Sequence, residues 1–280
     1  MVTIQSPQET LMRINRLKKE GKSIGFVPTM GALHEGHLSL MRKAKEENDV
    51  LVVSIFVNPI QFNNKNDLKK YPRNLEEDKK KLESVQCDIL FAPTVEGMYP
   101  EPVTEKYDFG ELEQVMEGAF RPGHFNGVAV VVKRLFDITL PDRAYFGEKD
   151  FQQLAIIRRL VEMEHLPVEI VPCPIVREEN GLAMSSRNER LTSEQREKAA
   201  FIYQTLQLAK KRKDDLCPSP LKQMVVNIFD ANPDFKLEYF EIADEKTLQP
   251  VTAWGKQENV RAFIAVWMGD VRLIDNIRLN

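Results

Sequence analysis

Two histidines lie three positions apart, as His34 and His37, in the stretch PTMGALHEGH that covers residues 28–37. Histidine pairs serve as metal ligands, as acid–base catalysts and as hydrogen-bond donors to phosphate. Zinc needs a third and usually a fourth ligand, and the thermolysin-type helix places its histidines at i and i+4. The spacing here is i and i+3, and His124 and His165 are remote in the sequence. The pattern therefore disfavours a metal site.

Phosphate binding fits the same stretch better. An apolar segment precedes it and a helical pattern follows it, so the histidines fall at the start of a helix, where backbone N–H groups and the helix dipole attract anions. Gly31 and Gly36 let a polyphosphate approach the backbone, and two imidazoles add donors where negative charge develops on phosphorus. Two surface histidines in a turn remain the alternative when this motif is taken alone.

A second polar segment, GLAMSSRNERL at residues 181–191, contributes Ser185, Ser186 and Arg187. Two hydroxyl groups and a guanidinium suit the β- and γ-phosphates of a nucleotide, because arginine can bind two oxygens at once. The same residue types also cap ordinary helices. The segment is informative only in combination with the histidine stretch.

The elements that must position these residues alternate between strand and helix up to about residue 175. Periodicity and capping residues predict helices over residues 7–19, 37–48, 74–85, 125–139 and 151–165. Continuous apolar runs predict strands over residues 23–29, 49–59, 87–93, 143–150 and 167–174. This alternation is typical of an α/β fold with a Rossmann-like, doubly wound parallel sheet.

Ligands bind such sheets at the carboxyl ends of the strands. The first predicted strand is stopped by Pro28 and leads into the histidine stretch. The second leads into NPIQF at residues 58–62, and a later one into FGEKD at residues 146–150. We therefore expect three polar segments to lie along one rim of the sheet.

The pattern changes beyond about residue 176. A surface helix, an exposed loop and two stretches of strand are predicted there, over residues 193–213, 210–220, 236–244 and 260–277. These elements indicate a smaller C-terminal α+β domain. We predict two domains, residues 1–175 and residues 176–280, of which the second is a lid over the first.

Charge and apolar content exclude several classes of function. Thirty-nine basic against 42 acidic side chains leave a net charge of −3, whereas a nucleic-acid-binding domain is expected to be basic. The longest apolar runs, VLVVSIFV and GVAVVV, are far short of the ~18 residues of a membrane helix. We expect a cytoplasmic protein without a nucleic-acid or membrane partner. Three separated cysteines, Cys87, Cys173 and Cys217, are interpreted as small apolar side chains.

The two motifs together carry a resemblance to known proteins. H-x-G-H after the first strand, with a downstream Ser-Ser-Arg loop, resembles the nucleotidylyl-transferase and class I aminoacyl-tRNA synthetase superfamily, in which these segments flank ATP. More narrowly, PTMGALHEGH, FVNPIQF, YPR, FGEKDFQQL, GLAMSSRN and the closing LIDNI resemble the pantothenate synthetase (pantoate:beta-alanine ligase) family. The resemblance extends along nearly the whole chain. It implies ATP-dependent joining of pantoate and beta-alanine through a pantoyl adenylate, by a homodimer.

The resemblance also implies a role for individual residues. It assigns catalysis to His37, His34, Lys149 and Arg187. It assigns ATP binding to Met30, Gly31, Ala32, Leu33, His34, Glu35, Gly36, His37, Gly147, Glu148, Lys149, Asp150, Val176, Met184, Ser185, Ser186 and Arg187. Pantoate falls to Gln61 and Gln153, whose amides donate and accept hydrogen bonds without adding charge, and Gln61 also lies near beta-alanine.

Some assignments stay open at this point. Mg²⁺ is expected to accompany ATP, held mainly by phosphate oxygens. Asp78 is a candidate protein ligand for it, with a solvated helix face as the alternative. Glu117, Arg121 and His124 belong to the segment EGAFRPGHFNG, which is characteristic of the family but suggests no role for them. Asn58 is interpreted as the end of its strand.

Two other functions compete with the ligase. A nucleotidylyl-transferase acting on a phosphorylated alcohol would share the histidine stretch, but it gives no reason for Gln61 and Gln153. A nucleotide-binding regulator or a tRNA binder needs a sensor surface or a basic face, which the charge balance does not indicate. Release of pyrophosphate distinguishes the enzyme from the regulator.

Overall fold

The computed structural model describes residues 1–63, 68–69, 71–255 and 259–280. The chain divides into two compact units. The larger comprises Met1–Phe109, Arg121–Glu148 and Gln153–Pro174, and the smaller comprises Gly110–Phe120, Lys149–Gln152 and Ile175–Asn280. Two short segments from the N-terminal part of the chain thus belong to the smaller unit.

In chain order, the strands are β1 (Val2–Ile4), β2 (Ile24–Thr29), β3 (Val50–Ile55), β4 (Ile89–Phe91), β5 (Arg143–Gly147), β6 (Glu169–Cys173), β7 (Lys236–Asp244), β8 (Val260–Met268) and β9 (Val271–Arg278). The helices are α1 (Pro7–Lys19), α2 (Glu35–Glu47), α3 (Leu75–Ser84), α4 (Val95–Met98), α5 (Met116–Phe120), α6 (His124–Thr139), α7 (Phe151–Met163), α8 (Ser193–Lys198), α9 (Ala200–Arg212) and α10 (Pro218–Asp230). Short 3-10 turns cover Pro59–Gln61, Gly110–Glu113, Glu148–Asp150 and Ser186–Arg190.

Six parallel strands form the sheet of the larger unit, in the order β1-β4-β3-β2-β5-β6. From β2 the chain proceeds to β3 and β4 on one side, and later to β5 and β6 on the other. Such a reversal is the switch point at which open α/β sheets bind ligands. The sheet confirms the predicted Rossmann-like α/β fold class.

Local sequence explains where the first elements begin and end. Ser6 accepts a hydrogen bond from the backbone N–H of Glu9 (3.3 Å) and a proline opens α1, as the capping pattern predicts. β2 runs through Pro28, so the prediction that this residue stops the strand is wrong. The ladder from β2 to β5 ends at Phe26, so the missing N–H of the proline lies beyond the paired part of that edge.

The helix that follows the histidine stretch is fixed to the sheet by apolar packing. Leu40, Met41 and Ala44 of α2 are buried, in agreement with the predicted helical face. They belong to one apolar cluster with Leu51 and Val53 of β3. Burial of each larger side chain contributes roughly 1.5–3 kcal/mol. The segment GVAVVV, which contains four valines, is likewise helical, as part of α6, which confirms the helix predicted over residues 125–139.

The smaller unit contains the antiparallel sheet β7-β8-β9 and the helices α8 to α10. The predicted surface helix over residues 193–213 is two helices that meet at Ala199, which is fully buried at the junction. The predicted loop over residues 210–220 is shorter than expected, because α9 continues to Arg212 and α10 begins at Pro218. Proline suits that first helical position, where its missing N–H has no intrahelical acceptor.

The two faces of the small sheet have different partners. Leu273 of β9 belongs to an apolar cluster with α9 and α10. Side chains that alternate with it point to the opposite face. There Phe151 contacts Phe263 of β8 with ring centroids 5.8 Å apart, and Phe120 stacks on Tyr239 of β7 at 5.5 Å. These contacts attach the segments around Phe120 and Phe151 to the smaller unit.

The cysteines follow the prediction in two cases of three. Cys87 and Cys173 are buried, and burial raises the pKa of Cys87 to about 12 and that of Cys173 to about 11. Cys217 is exposed at the residue before α10, so its interpretation as a small apolar side chain in the core is wrong.

The sequence patterns miss β1, because three residues are too few to show a period. Among the described residues, every helix is too short or too polar to cross a membrane.

Candidate active site

The three predicted polar segments follow neighbouring strands of the larger unit. β2 lies between β3 and β5, and all three strands are parallel, so their carboxyl ends meet at one edge of the sheet. The loop after β2 carries the histidine stretch, and the turn Pro59–Gln61 follows β3. β5 ends at Gly147. The predicted rim is confirmed.

The loop between β2 and α2 has an unusual backbone. Gly31 and Ala32 have φ angles of +83° and +50°, in the left-handed region. The Thr29 hydroxyl donates to Ser54 O (2.8 Å) and accepts from Gly31 N–H (3.2 Å), which turns the chain back at the end of the strand. A Cβ on Gly31 would lie 2.9 Å from Oδ2 of Asp78, so the loop requires glycine there.

Asp78 of α3 supports this loop. Its Oδ2 accepts from the N–H of Ala32 (3.0 Å) and its Oδ1 from the N–H of Leu33 (2.8 Å), and the side chain is buried, 2% exposed. One turn later, Lys81 Nζ donates to Leu33 O (2.7 Å). Asp78 is therefore not on a solvated helix face, and both of its oxygens already bind the protein backbone. Among the residues that the structure describes, His, Cys, Asp and Glu side chains form no cluster of three or more suited to a metal ion.

The two histidines meet at the start of α2. His34 occupies the N-cap position, and its backbone N–H donates to Nδ1 of His37 (3.3 Å). The ring centroids lie 4.0 Å apart with a 40° tilt. Because Nδ1 of His37 accepts this hydrogen bond, the neutral ring carries its proton on Nε2. His37 can thus donate through Nε2 to an anion at the helix start.

The acidic residue between the histidines, Glu35, forms an ion pair. Arg42 binds both carboxylate oxygens of Glu35, at 2.5 and 3.1 Å, from two turns along α2. This hydrogen bonding holds the pKa of Glu35 below its usual value. The carboxylate therefore stays charged but paired, which limits its repulsion of a phosphate at the same helix start.

Gln61 is held in a buried network of the larger unit. Its Oε1 accepts from Asn58 Nδ2 (3.2 Å), its Nε2 donates to Met30 Sδ (3.1 Å), and its backbone oxygen lies 2.9 Å from His124 Nδ1. The side chain of Gln61 is 8% exposed. The loop after β2 and the turn after β3 are thus joined through Gln61. His124, for which the sequence suggests no role, is part of this network.

Asn58 is a buried polar residue of this site whose contacts sequence reasoning missed. It is interpreted from the sequence as a strand end, yet it is 1% exposed and orients Gln61. Its Nδ2 also donates to Gly127 O (3.0 Å), and its Oδ1 accepts from the Tyr99 hydroxyl (2.9 Å). Burial raises the pKa of Tyr99, which keeps the phenol protonated as that donor. Gly127 and Tyr99 are remote in the sequence, so only the Asn-Pro pair after the strand gave a signal.

Gly127 lets α6 pack directly on the turn that carries Gln61. A Cβ at this position would lie 2.7 Å from both Ile60 O and Gln61 Cα. Contacts this short are not accommodated without a shift of backbone. The glycine inside the valine-rich helix therefore has a packing reason, which its sequence context does not reveal.

The smaller unit holds the remaining predicted phosphate ligands. Val176 O accepts from Met184 N–H (3.0 Å), and an antiparallel bridge joins Arg177 to Ala183. Val176 and Met184 are therefore neighbours at the base of a hairpin. Ser185 Oγ then accepts from Arg187 N–H (3.3 Å) and caps the 3-10 turn Ser186–Arg190. Lys149 Nζ lies 3.6 Å from Oδ1 of its neighbour Asp150, and the Lys149 side chain is 16% exposed.

The predicted residues are divided between the units. The larger unit contains Met30, Gly31, Ala32, Leu33, His34, Glu35, Gly36, His37, Gln61, Gly147, Glu148 and Gln153. The smaller contains Lys149, Asp150, Val176, Met184, Ser185, Ser186 and Arg187. Glu117 is also in the smaller unit, where it accepts from Arg272 (2.8 and 2.7 Å) and from the Tyr239 hydroxyl (2.9 Å). The backbone oxygen of Arg121 accepts from His124 N–H (3.0 Å) in the larger unit.

Comparison with known proteins identifies the family of this chain. A family model described as pantoate-beta-alanine ligase matches residues 2–278. A pantothenate synthetase from Christiangramia forsetii is 53% identical over 282 residues, which cover 100% of each chain. The crystal structure of pantothenate synthetase from Thermus thermophilus has a TM-score of 0.93 at 42% identity, covering 100% of this chain and 99% of that one. A pantoate-beta-alanine ligase from Francisella tularensis, complexed with beta-gamma ATP and beta-alanine, has a TM-score of 0.83 at 39% identity over 100% and 98% of the two chains. This chain belongs to the pantoate-beta-alanine ligase family.

Proposed function

We propose that this chain condenses (R)-pantoate with beta-alanine and converts ATP to AMP and pyrophosphate, through a pantoyl-adenylate intermediate. The observation that carries the proposal is the loop after β2. There a left-handed backbone, the buried Asp78 and the His34–His37 pair form a phosphate-binding helix start in a member of this family. The Francisella relative was solved with an ATP compound and beta-alanine, which match two of the three substrates.

In the first step, a carboxylate oxygen of pantoate attacks the α-phosphorus of ATP in line. The bond from that phosphorus to the bridging oxygen breaks, and pyrophosphate leaves with the electron pair. Nε2–H of His37 donates to the phosphate oxygens as charge develops, and His34 lies beside it. Positioning of the two anions supplies much of the remaining acceleration.

The family resemblance supports the roles of the other ATP ligands. Lys149 neutralises the α-phosphate, since two anions would otherwise repel each other at the moment of reaction. Ser185, Ser186 and Arg187 bind the β- and γ-phosphates, for which arginine offers two parallel donors. The base and the ribose are assigned to Gly147, Glu148, Lys149 and Asp150, with Val176 near the adenine, and Met184 closes over the phosphates together with Ser185–Arg187.

Pantoate is assigned to Gln61 and Gln153. Pantoate offers one carboxylate and two hydroxyl groups, and an amide can donate to one and accept from another. The buried contacts of Gln61 with Asn58 and Met30 support this role, because they hold the amide in one orientation before substrate arrives. Gln61 also serves beta-alanine.

In the second step, the amine of beta-alanine attacks the acyl carbon of the adenylate. The bond from that carbon to the phosphate oxygen breaks, AMP leaves, and the amine loses a proton as the amide forms. The mixed anhydride hydrolyses readily, so water must be kept out between the steps. We propose that residues 176–280 act as a lid for this purpose. Equal radii of gyration in X-ray scattering with and without ATP and pantoate would contradict the lid.

ATP enters as its Mg²⁺ complex, with the ion held mainly by phosphate oxygens. Asp78 is not assigned to the ion, because both of its oxygens accept backbone N–H groups.

We also propose that the enzyme is a cytoplasmic homodimer of 32.3 kDa subunits that uses only small-molecule substrates, without nucleic acid or membrane partners. Light scattering coupled to gel filtration measures the subunit number directly.

The test of the reaction is ATP–pyrophosphate exchange with labelled pyrophosphate, Mg²⁺ and (R)-pantoate, without beta-alanine. We expect exchange that depends on pantoate, because the first step is reversible and complete without the amine. The ligase assignment would be wrong if exchange were absent both with and without beta-alanine. A stable nucleotide-linked product from a phosphorylated alcohol would then identify a nucleotidylyl-transferase.

A further inference from the structure

The motif LIDNI near the end of the chain places two buried polar side chains next to each other on β9. Asp275 is 4% exposed and Asn276 is 2% exposed. Adjacent residues of a strand point to opposite faces of the sheet, so the two side chains have separate surroundings. Buried polar groups are retained where they are hydrogen-bonded. The proposed reaction assigns no role to either residue.

Asn276 points to the face that carries Lys149. Its Nδ2 donates to Lys149 O (2.9 Å), and its Oδ1 accepts from Arg261 Nη1 (2.5 Å). Arg261 is held by Glu245 Oε1 (2.8 Å), and its guanidinium lies 4.1 Å from the ring centroid of Phe151, two residues after the lysine. The short segment with Lys149 is therefore bound to the small sheet both through its backbone and through Phe151.

Asp275 points to the face that carries the hairpin with Val176 and Met184. Its carboxylate accepts from both terminal nitrogens of Arg177, at 2.6 and 3.0 Å. Arg177 also donates to Gly181 O (3.1 Å), inside the same hairpin. The strand thus binds the lysine segment on one face and the base of the Ser-Ser-Arg hairpin on the other.

We propose that Asn276 is a positioning residue for Lys149, and that with Asp275 it holds the lysine and the Ser185–Arg187 turn in one fixed arrangement for the triphosphate. The inference rests on the proposed function, in which these groups bind ATP. A lysine side chain is long and flexible, so the placement of its backbone decides where its ammonium group can reach. Misplacement of a reacting or charge-stabilising group by about 1 Å can cost on the order of 100-fold in rate.

The variant Asn276→Asp tests this. It keeps the size of the side chain and an acceptor for Arg261, but it replaces the donor to Lys149 O by a carboxylate oxygen that the carbonyl repels. We expect pantoate-dependent exchange to slow by about 10- to 100-fold. Aminolysis of separately supplied pantoyl adenylate by beta-alanine should slow by a smaller factor, since the adenylate keeps the α-phosphate that Lys149 neutralises but lacks the β- and γ-phosphates. Asn227→Asp, the same substitution at an exposed position of α10, is the matched control.

A double-mutant cycle with Lys149→Ala separates positioning from a general structural effect. If Asn276 acts through Lys149, the double variant is no slower in exchange than Lys149→Ala alone. Independent, multiplicative losses would overturn the inference, as would equal losses in both half-reactions with a lowered melting temperature. Asn276→Ala, which removes the donor without adding charge, repeats the cycle if the aspartate variant does not fold.

The outcomes also distinguish this inference from the proposed function. Absence of exchange in the wild-type enzyme overturns both. Full exchange in Lys149→Ala removes the role of the lysine, and with it the role of Asn276, while the ligase reaction stands. Impaired exchange in Lys149→Ala with unimpaired exchange in both Asn276 variants overturns the positioning role alone.

Discussion

The protonation state of His37 follows from one hydrogen bond. Because Nδ1 accepts from the backbone N–H of His34, the ring is neutral in this arrangement and offers Nε2–H outwards. A neutral donor does not have to lose a proton during attack on phosphorus. In the proposed reaction the residue therefore acts by electrostatic stabilisation and not by proton transfer, which matches a first step that moves no proton.

Replacement of His37 by Ala should slow adenylate formation strongly. Loss of one donor of this kind typically costs 100- to 1,000-fold, about 2.7–4 kcal/mol of transition-state stabilisation. The measurement is pantoate-dependent pyrophosphate exchange, with the circular dichroism melting curve as the test of folding. His165→Asn is the control, since this histidine is exposed and its positive φ suits asparagine. An enzyme that remains fully active without His37 would contradict the assignment.

At the scale of elements, α3 supports the loop after β2, to which phosphate binding is assigned. Asp78 accepts the N–H groups of two successive residues, and Lys81 donates to the carbonyl of the second. The sequence of α3 predicts a helix correctly but not this contact, because a carboxylate in a first helical turn is also what a solvated helix would have. The burial of one side chain, which depends on a loop far away in the sequence, decides between the two interpretations.

Asp78→Asn should weaken both stability and ATP binding. The amide can accept one of the two N–H groups, but its NH₂ group then faces the other donor. Leaving one buried donor without an acceptor costs about 1–3 kcal/mol of the free energy of unfolding. The KM for ATP should rise while the KM for beta-alanine is unchanged, as measured by steady-state kinetics and urea unfolding. Glu76→Gln, which changes an exposed carboxylate on the same helix, should leave the free energy of unfolding and the KM for ATP unchanged.

Gly127→Ala should destabilise the protein even though alanine is the better helix former. Helix propensity alone favours alanine by about 1 kcal/mol. The added Cβ would lie 2.7 Å from Ile60 O and Gln61 Cα, so the turn must move and Gln61 with it. We expect a net loss of roughly 1–3 kcal/mol in urea unfolding and a higher KM for pantoate.

The control for this substitution is Gly97→Ala, where the nearest atom to a new Cβ is 3.4 Å away. This variant should be at least as stable as the wild-type protein, since alanine is the better helix former, and should have the same KM for pantoate. A stabilised Gly127→Ala variant with an unchanged KM for pantoate would show that α6 and the turn are not in close contact.

The elements were predictable to different degrees, for physical reasons. Long helices with caps, such as α1 and α2, and the apolar run of β3 carry enough residues to show their period. β1 has only three residues and no such pattern. Asn58, Gln61 and Asn276 each have a partner in a distant segment, so these contacts follow from the fold and not from local sequence. The motifs predict the groups that contact ATP, whereas the contacts that hold Gln61 and Lys149 became visible only in the structure.

At the scale of the whole molecule, three buried phenols link stability to alkaline pH. Burial raises the pKa of Tyr99, Tyr145 and Tyr239 above the usual value for tyrosine. The folded protein therefore keeps these protons at a pH where the unfolded chain loses them. The unfolded state then binds fewer protons, so stability falls as the pH rises above about 10. Below that pH the contribution is fully present.

Absorbance at 295 nm during an alkaline titration should show these phenols ionising only as the protein unfolds. Tyr145→Phe removes one such group. Above pH 10, the unfolding free energy of this variant should decrease with pH less steeply than that of the wild-type protein, by about 1.4 kcal/mol per pH unit. Ionisation of all tyrosines before any change in circular dichroism would contradict the burial of these side chains.

The composition of the smaller unit has a consequence for synthesis on the ribosome. The aromatic segments around Phe120 and Phe151 emerge well before β7, β8 and β9, the strands on which they pack. At roughly 5–20 residues per second, these segments wait on the order of 10 s for their sheet. During that interval Lys149 has no Asn276 to hold it, so a nascent chain has the histidine loop but not the complete set of proposed ATP ligands. Catalytic competence should therefore appear late and abruptly, when the last strand joins the sheet.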